Sequence, residues 1–128
     1  MFNLNGLDIF ILMIFLHYVG DYILQTGFLA NYKQKKNWSE YTKEGHYKYD
    51  FVAVLAVHAF SWAFITFLPL YFYTHNSLFF ACSLLVNTVI HMFVDHLKCN
   101  LFKINLIVDQ LLHLAQIILT LVLAYALR

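Results

Sequence analysis

The chain has 128 residues, of which 62% are hydrophobic, 19% aromatic and only 12% charged. Soluble domains carry about 25% charged residues, and a soluble helical domain would need a polar face on each helix, which most segments of this chain lack. The composition therefore argues against an ordinary soluble domain. The formal net charge of +1 comes without a basic stripe beside base-stacking aromatic residues, so we expect no nucleic-acid partner.

Four apolar segments, at residues 7–24, 51–72, 78–97 and 104–127, each approach the roughly 20 residues that a bilayer-spanning helix needs. Short connections follow the second and third segments, so the helices that they join are antiparallel neighbours. The first segment has neither a basic n-region nor a small-residue cleavage site, so we expect a retained span. We predict an all-α fold, an integral membrane four-helix bundle that forms a single domain over residues 1–128.

The one long connection, residues 25–50, combines five lysines with scattered Phe, Leu, Tyr and Trp residues. This mix is typical of an amphipathic segment in the headgroup layer, and equally of a solvated loop. The first and third connections together hold seven lysines, against Arg128 and the N-terminal amine on the other side. The positive-inside rule therefore makes both connections cytoplasmic and points both termini away from the cytoplasm, in what we expect to be a bacterial inner membrane.

Seven His and Asp residues inside the predicted spans, near their cytoplasmic ends, form the candidate site, whereas the neighbouring His96 points to another helix face; the seven are His17, Asp21, His58, His91, Asp95, Asp109 and His113. Helices one and three carry His-x-x-x-Asp, and helix four carries the reverse order. Residues four apart lie on one helix face, about 5–6 Å apart at Cβ. Ionisable residues inside a membrane are costly and mark functional sites, so we predict that these seven meet as metal ligands on the bundle axis.

The residue types and their number indicate which metals the site would take. Imidazole and carboxylate ligands suit zinc most, and also manganese or iron. A tetrahedral site uses three or four protein ligands, and three carboxylates need positive charge beside them. Seven ligands therefore favour two divalent ions with one bridging Asp, and one ion surrounded by an outer shell of His and Asp is the alternative.

Polar neighbours extend the same helix faces. The candidates for substrate binding are Lys98, Gln25, Lys35 and Lys36, joined by Lys33, because lysines at such positions can hold a phosphate or an anionic headgroup. Asn87 and Gln116 indicate either orientation of the ligands or ordinary hydrogen bonds between helices.

Four strings, HYVGDYILQTGFLANYK, LAVHAFSWAF, HMFVDHLK and VDQLLHL, follow one another along nearly the whole chain. They resemble the signature blocks of the DUF3307 family of small bacterial and phage membrane proteins, which is catalogued as a domain of unknown function. The blocks contain His17, Asp21, Gln25, His58, His91, Asp95, Lys98, Asp109, Gln110 and His113. The resemblance implies a polytopic membrane protein and little established chemistry. By residue type alone, the chain is also loosely similar to membrane-bound metal-dependent hydrolases.

Three functions fit this pattern. The favoured one is a metal-dependent hydrolase that cleaves an ester or phosphoester of a lipid or lipid-linked molecule at the cytoplasmic face, with Asp21 or Asp109 as the catalytic base. Transport of metal ions or protons would need a polar path, but the outer halves of helices one and four are almost wholly apolar. A structural metal site in a non-enzymatic protein would be fully coordinated, whereas a catalytic one keeps an open position. Because four helices are few to enclose a site, we also consider a homodimer.

Overall fold

The computed structural model describes residues 5–38 and 45–127. The first helix, α1, continues into a π-helical turn, and the long connection contains a short helix, α2, and a 3₁₀ turn. The elements are α1 (Gly6–Tyr18), the π-helical turn (Val19–Ile23), α2 (Gly27–Tyr32), the 3₁₀ turn (Lys35–Trp38), α3 (Asp50–Thr74), α4 (Ser77–Cys99) and α5 (Leu106–Ala126). No β-strand occurs within these described ranges.

Four helical segments are long and apolar enough to cross a membrane: Gly6–Ile23, α3, α4 and α5. They pack against one another, and their ends lie within a few residues of the predicted spans. The prediction of an all-α bundle of four spans is therefore confirmed. The side of the membrane on which each terminus lies stays a prediction, and two residues of the charge comparison, Lys43 and Arg128, lie outside the described residues.

Asparagine caps fix where three of the helices begin. The Asn5 side chain accepts hydrogen bonds from the backbone of Leu7 and Asp8, and the Asp8 carboxylate accepts one from the Asn5 backbone N–H in return. Asn76 caps α4 and Asn105 caps α5 in the same way. Such caps satisfy N–H groups that have no partner within the helix. The cap of α5 thereby sets the register that turns its first polar residues toward the bundle.

The interior of the bundle is divided along its length. The end that holds the start of α1 is filled by an apolar core, in which Met13, Phe67, Leu70 and Ile117 are fully buried. The opposite end holds the ionisable residues. Gly20 allows the π-helical turn to approach α3 at this end, because a Cβ there would lie only 3.0 Å from Trp62 Cδ1.

The long connection is fastened to the end of α4. The Asn100 side chain donates a hydrogen bond to Lys33 O at 3.1 Å and accepts one from the Lys35 backbone N–H at 2.7 Å. This attachment directs the Lys33 side chain into the bundle, where it is 6% exposed. The sequence predicted an amphipathic segment here, and its position in the headgroup layer stays a prediction.

Candidate metal centre

The seven ionisable residues predicted from their spacing form one cluster. They come from the C-terminal ends of the first span and α4 and from the N-terminal parts of α3 and α5. His91, Asp109 and His113 have no exposed surface. The least buried member is Asp21, with 8% of its side chain exposed.

Around the adjacent Nε2 atoms of His58 and His91 lie carboxylate oxygens of two aspartates, and we call these four residues the ligand quartet: Asp21, His58, His91 and Asp95. The Nε2 atoms of His58 and His91 are 3.3 Å apart. His58 Nε2 lies 3.3 Å from Asp95 Oδ2 and 3.7 Å from Asp21 Oδ1. The corresponding distances from His91 Nε2 are 3.9 and 3.8 Å. Ligands bound at 2.0–2.1 Å around a tetrahedral zinc ion are about 3.4 Å apart, and these five separations of 3.3–3.9 Å are close to that value.

The rings of the cluster stack and hold each other in place. The His91 ring stacks on Trp62 at a centroid distance of 4.0 Å and on His113 at 4.1 Å, and the Trp62 and His113 centroids are 5.1 Å apart, so the three rings contact one another. His91, Asp95 and His113 form a second group whose ligand atoms all lie within 4.8 Å of one another. His113 therefore lies beside the quartet, within reach of anything bound there.

Two lysines neutralise part of the charge of the carboxylates. Lys33 Nζ donates to Asp95 Oδ2 at 2.6 Å, and Lys98 Nζ donates to Asp109 Oδ2 at 2.6 Å. Lys98 Nζ is also 3.4 Å from Asp95 Oδ1. With neutral imidazoles, three carboxylates and two lysines leave the cluster with a net charge of −1.

The predicted substrate-binding residues fall into two groups. Lys98 lies against the carboxylates. Gln25, in its satisfied amide orientation, lies at the edge of the cluster, where it donates to the backbone carbonyl of Asp21 at 2.8 Å and accepts from Lys33 Nζ at 2.6 Å. By contrast, Lys35 and Lys36 are exposed in the 3₁₀ turn, where neither makes an ion pair with a described carboxylate.

His17 is held by a directional chain of hydrogen bonds. Trp62 Nε1 donates to His17 Nδ1 at 2.9 Å, so the proton of the neutral ring is on Nε2 and is donated to Gln110 Oε1 at 3.1 Å. Gln110 Nε2 then donates to Asp109 Oδ2 at 3.0 Å and to Asp21 Oδ2 at 3.2 Å. Because both nitrogens of His17 have protein partners, this residue orients the carboxylates rather than offering a free ligand atom.

A second chain of hydrogen bonds, which we call the polar ladder, consists of Ser83, Asn87 and Gln116. Asn87 Nδ2 donates to Ser83 O at 2.9 Å, which leaves Asn87 Oδ1 to accept from Gln116 Nε2 at 3.2 Å. Gln116 Nε2 also donates to Asn87 O at 3.2 Å. The free carbonyl oxygen of Gln116 then accepts from His113 Nδ1 at 3.0 Å, so the ladder keeps the proton of His113 on Nδ1.

This tautomer leaves a lone pair on His113 Nε2, and the lone pair faces carboxylate oxygens. Asp109 Oδ1 is 3.5 Å away and Asp95 Oδ1 is 3.9 Å away. Within the described ranges, neither His113 Nε2 nor Asp109 Oδ1 has a hydrogen-bond partner. Buried polar atoms are nearly always satisfied, and a lone pair facing an anion needs a cation or a proton between them. A proton on His113 Nε2 would satisfy both atoms, so this pair is suited to accept a proton, whereas the donor set that suits a divalent cation is the ligand quartet.

The sequence does not assign the observed roles of three residues of this site: Trp62, Gln110 and Lys33. Trp62 was not singled out, although it follows His58 by one helical turn. Gln110 adjoins Asp109 inside an apolar run, which is a usable signal. Lys33 was grouped with the other lysines of the long connection, and nothing in the sequence separates it from Lys35.

One family model, described as "Protein of unknown function (DUF3307)", matches residues 9–127. The matched segment includes every residue of the cluster. No curated protein matches the chain, and neither does any solved structure.

Proposed function

The chain belongs to the DUF3307 family, and from the geometry of its buried cluster we propose that it binds a divalent cation and hydrolyses an ester or phosphoester of a lipid or lipid-linked molecule. A family of unknown function supplies no activity, so the proposal is argued from the site itself. The observation that carries it is the ligand quartet, in which a carboxylate oxygen of Asp21 and one of Asp95 each lie 3.3–3.9 Å from the adjacent imidazole nitrogens of His58 and His91. This donor set suits zinc.

Charge balance supports one ion rather than the two that the sequence alone favours. Lys33 and Lys98 supply the positive charge that the sequence argument assigned to a second ion. One divalent cation changes the net charge of the cluster from −1 to +1, whereas two would raise it to +3 in a buried site. A site with a charge of +1 also suits an anionic phosphoester.

A catalytic ion needs an open coordination position for water. Asp21 is the quartet member best placed to provide it, because it lies 3.7 and 3.8 Å from the two imidazole nitrogens and is the least buried member. It also comes from the short π-helical turn, and such turns are frequent at functional sites. In this proposal Asp21 is the ligand that a water molecule can displace, and His113 rather than Asp21 acts as the base.

A divalent cation held by the ligand quartet would supply Lewis-acid chemistry. His113 is placed to accept a proton from a water molecule there, because its Nε2 carries the lone pair and lies within 4.8 Å of the ligand atoms of His91 and Asp95. Asp109 Oδ1, 3.5 Å from Nε2, then stabilises the protonated ring. Lys98, whose side chain is 25% exposed, is placed to contact an anionic substrate.

The transporter considered from the sequence is not favoured by the packing. The polar ladder stops at the apolar core, where Ile9, Phe67 and Leu70 are fully buried. A homodimer is not needed to enclose the site either, since the four helices of one chain already bury its ligands.

The first test is elemental analysis of the detergent-purified protein. We expect one zinc, manganese or iron ion per chain, and its loss in Asp95→Asn and His58→Ala. His46→Ala is the matched control, because His46 is exposed and lies outside the cluster. A wild-type protein without stoichiometric metal would contradict the proposal.

The second test separates catalysis from a structural role of the metal. We expect Asp109→Asn to keep the metal and the fold but to lower phosphatase or esterase turnover about 100-fold, because proton transfer to His113 loses the carboxylate that stabilises the protonated ring. Turnover is measured with p-nitrophenyl phosphate and p-nitrophenyl esters. A metal-loaded wild type that is inactive toward both, and toward phosphatidic acid, would instead indicate a structural site.

A further inference from the structure

A groove of about 360 Å³ lies between α1 and α5, beside the metal centre. This volume is within the range of ligand pockets, roughly 300–1,000 Å³. Ile14, Leu111 and Leu114 form part of its apolar wall, and the rings of Tyr18 and Tyr22 line it nearer the ends of the spans. No other described element covers it, so in a membrane this groove faces lipid.

The groove has the direction and length of a lipid chain. It follows the helix axes from Tyr22 to Ile14, which is about 12 Å at the helical rise of 1.5 Å per residue. The hydrocarbon of one leaflet is about 15 Å thick, half of the roughly 30 Å core. Tyrosine rings prefer the level of the headgroups, so Tyr18 and Tyr22 are expected at the polar end of a bound chain.

The floor of the groove leads directly to the carboxylates. His17 and Gln110 both line it, and the Gln110 amide donates to Asp21 and Asp109. A chain in the groove therefore brings the bond between its head group and its tail to within one side chain of the metal centre.

A second groove of about 370 Å³, between α4 and α5, is less suitable. Its polar lining is Asn87, Gln116 and Thr120, whose side chains bond to one another. The ladder separates this groove from the carboxylates, so a chain bound there would not reach the site.

We propose that the groove between α1 and α5 binds one hydrocarbon chain of the lipid substrate, with the scissile ester or phosphoester next to Gln110. The identity of the scissile bond rests on the proposed function, whereas binding of the chain requires no hydrolysis. The substrate then enters laterally from the bilayer.

The test compares two Leu→Trp variants by photo-cross-linking. Leu111 lies in the groove and is 59% exposed, and Leu85, on α4 outside the grooves described, is 65% exposed. The probe is phosphatidic acid with a diazirine in its acyl chain, in vesicles of phosphatidylglycerol and phosphatidylethanolamine. We expect wild-type cross-links to concentrate on α1 and α5, and Leu111→Trp to lower their yield about tenfold, equivalent to about 1.4 kcal/mol. Leu85→Trp should leave the yield unchanged.

Equal yields in the two variants, or cross-links spread evenly over all four spans, would overturn this inference, since both indicate ordinary surrounding lipid. Metal content is measured on the same samples. A protein that carries no metal but cross-links in the groove would overturn the proposed hydrolase and retain the chain-binding site. A metal-loaded, active protein with evenly spread cross-links would retain the hydrolase and exclude this groove.

Discussion

At the scale of single residues, the tautomer of His113 decides what the site can do. Its Nδ1 proton is fixed by Gln116, which is oriented by Asn87, and Asn87 is anchored on the backbone carbonyl of Ser83. This series of hydrogen bonds begins at the backbone carbonyl of Ser83, which can only accept a hydrogen bond. The ladder therefore works as a positioning device that keeps the lone pair of His113 Nε2 toward the carboxylates.

Replacing Gln116 with Leu removes the acceptor for His113 Nδ1–H. We expect turnover to fall about 10- to 100-fold, as for other residues that orient an active group, while the metal content stays unchanged. Gln34→Leu is the control, because the Gln34 side chain donates to the nearby Ala30 carbonyl, outside the cluster. Nitrogen NMR of the imidazoles should show His113 shifting toward the Nε2–H tautomer in Gln116→Leu. An unchanged tautomer together with full activity would contradict this role.

At the scale of elements, the π-helical turn matters most. It places Asp21 one turn beyond His17 while bringing the backbone of Gly20 against Trp62, whose ring stacks on His91. The position of Asp21 and the packing of the His91 ring thus both depend on the close approach of Gly20 to Trp62. Glycine suits position 20 because a Cβ there would lie 3.0 Å from Trp62 Cδ1.

Gly20→Ala places a methyl group 3.0 Å from Trp62 Cδ1. We expect a destabilisation of about 1–3 kcal/mol, typical of overpacking, and weaker metal binding because Asp21 is displaced. Thermal unfolding in detergent and titration with zinc measure the two effects. Gly27→Ala is a matched control, because a Cβ there meets nothing within 4 Å. If the two variants behaved alike, the close approach would have no role in the site.

At the scale of the whole molecule, charges from different parts of the chain are balanced at one point. Lys33 comes from the long connection and Asp95 from α4, yet their side chains form a buried ion pair. A net charge of −1 remains in the cluster and favours binding of a cation. An ion held by the ligand quartet would stabilise the packing of the first span, α3 and α4, because the four ligands come from these three spans.

Lys33→Met removes one of the two positive charges and leaves the cluster at −2. We expect the metal-free protein to lose about 3–5 kcal/mol, as when one partner of a buried ion pair is removed, and added zinc to stabilise the variant more than wild type. Melting temperatures with zinc and with a chelator measure both effects. Lys35→Met, two residues away and exposed, should behave as wild type. A zinc response no larger than that of wild type would contradict the charge argument.

The sequence by itself determined the four spans and the convergence of the His and Asp residues. Both follow from local rules, since composition decides which helices cross a membrane and a spacing of four places two side chains on one face. Only the tertiary structure decided which polar residues join the site and in what role. His17 is fully hydrogen-bonded by Trp62 and Gln110, and Lys33 rather than Lys35 enters the cluster. These outcomes depend on how the long connection and the helices pack, and such long-range contacts leave no periodic signal in the sequence.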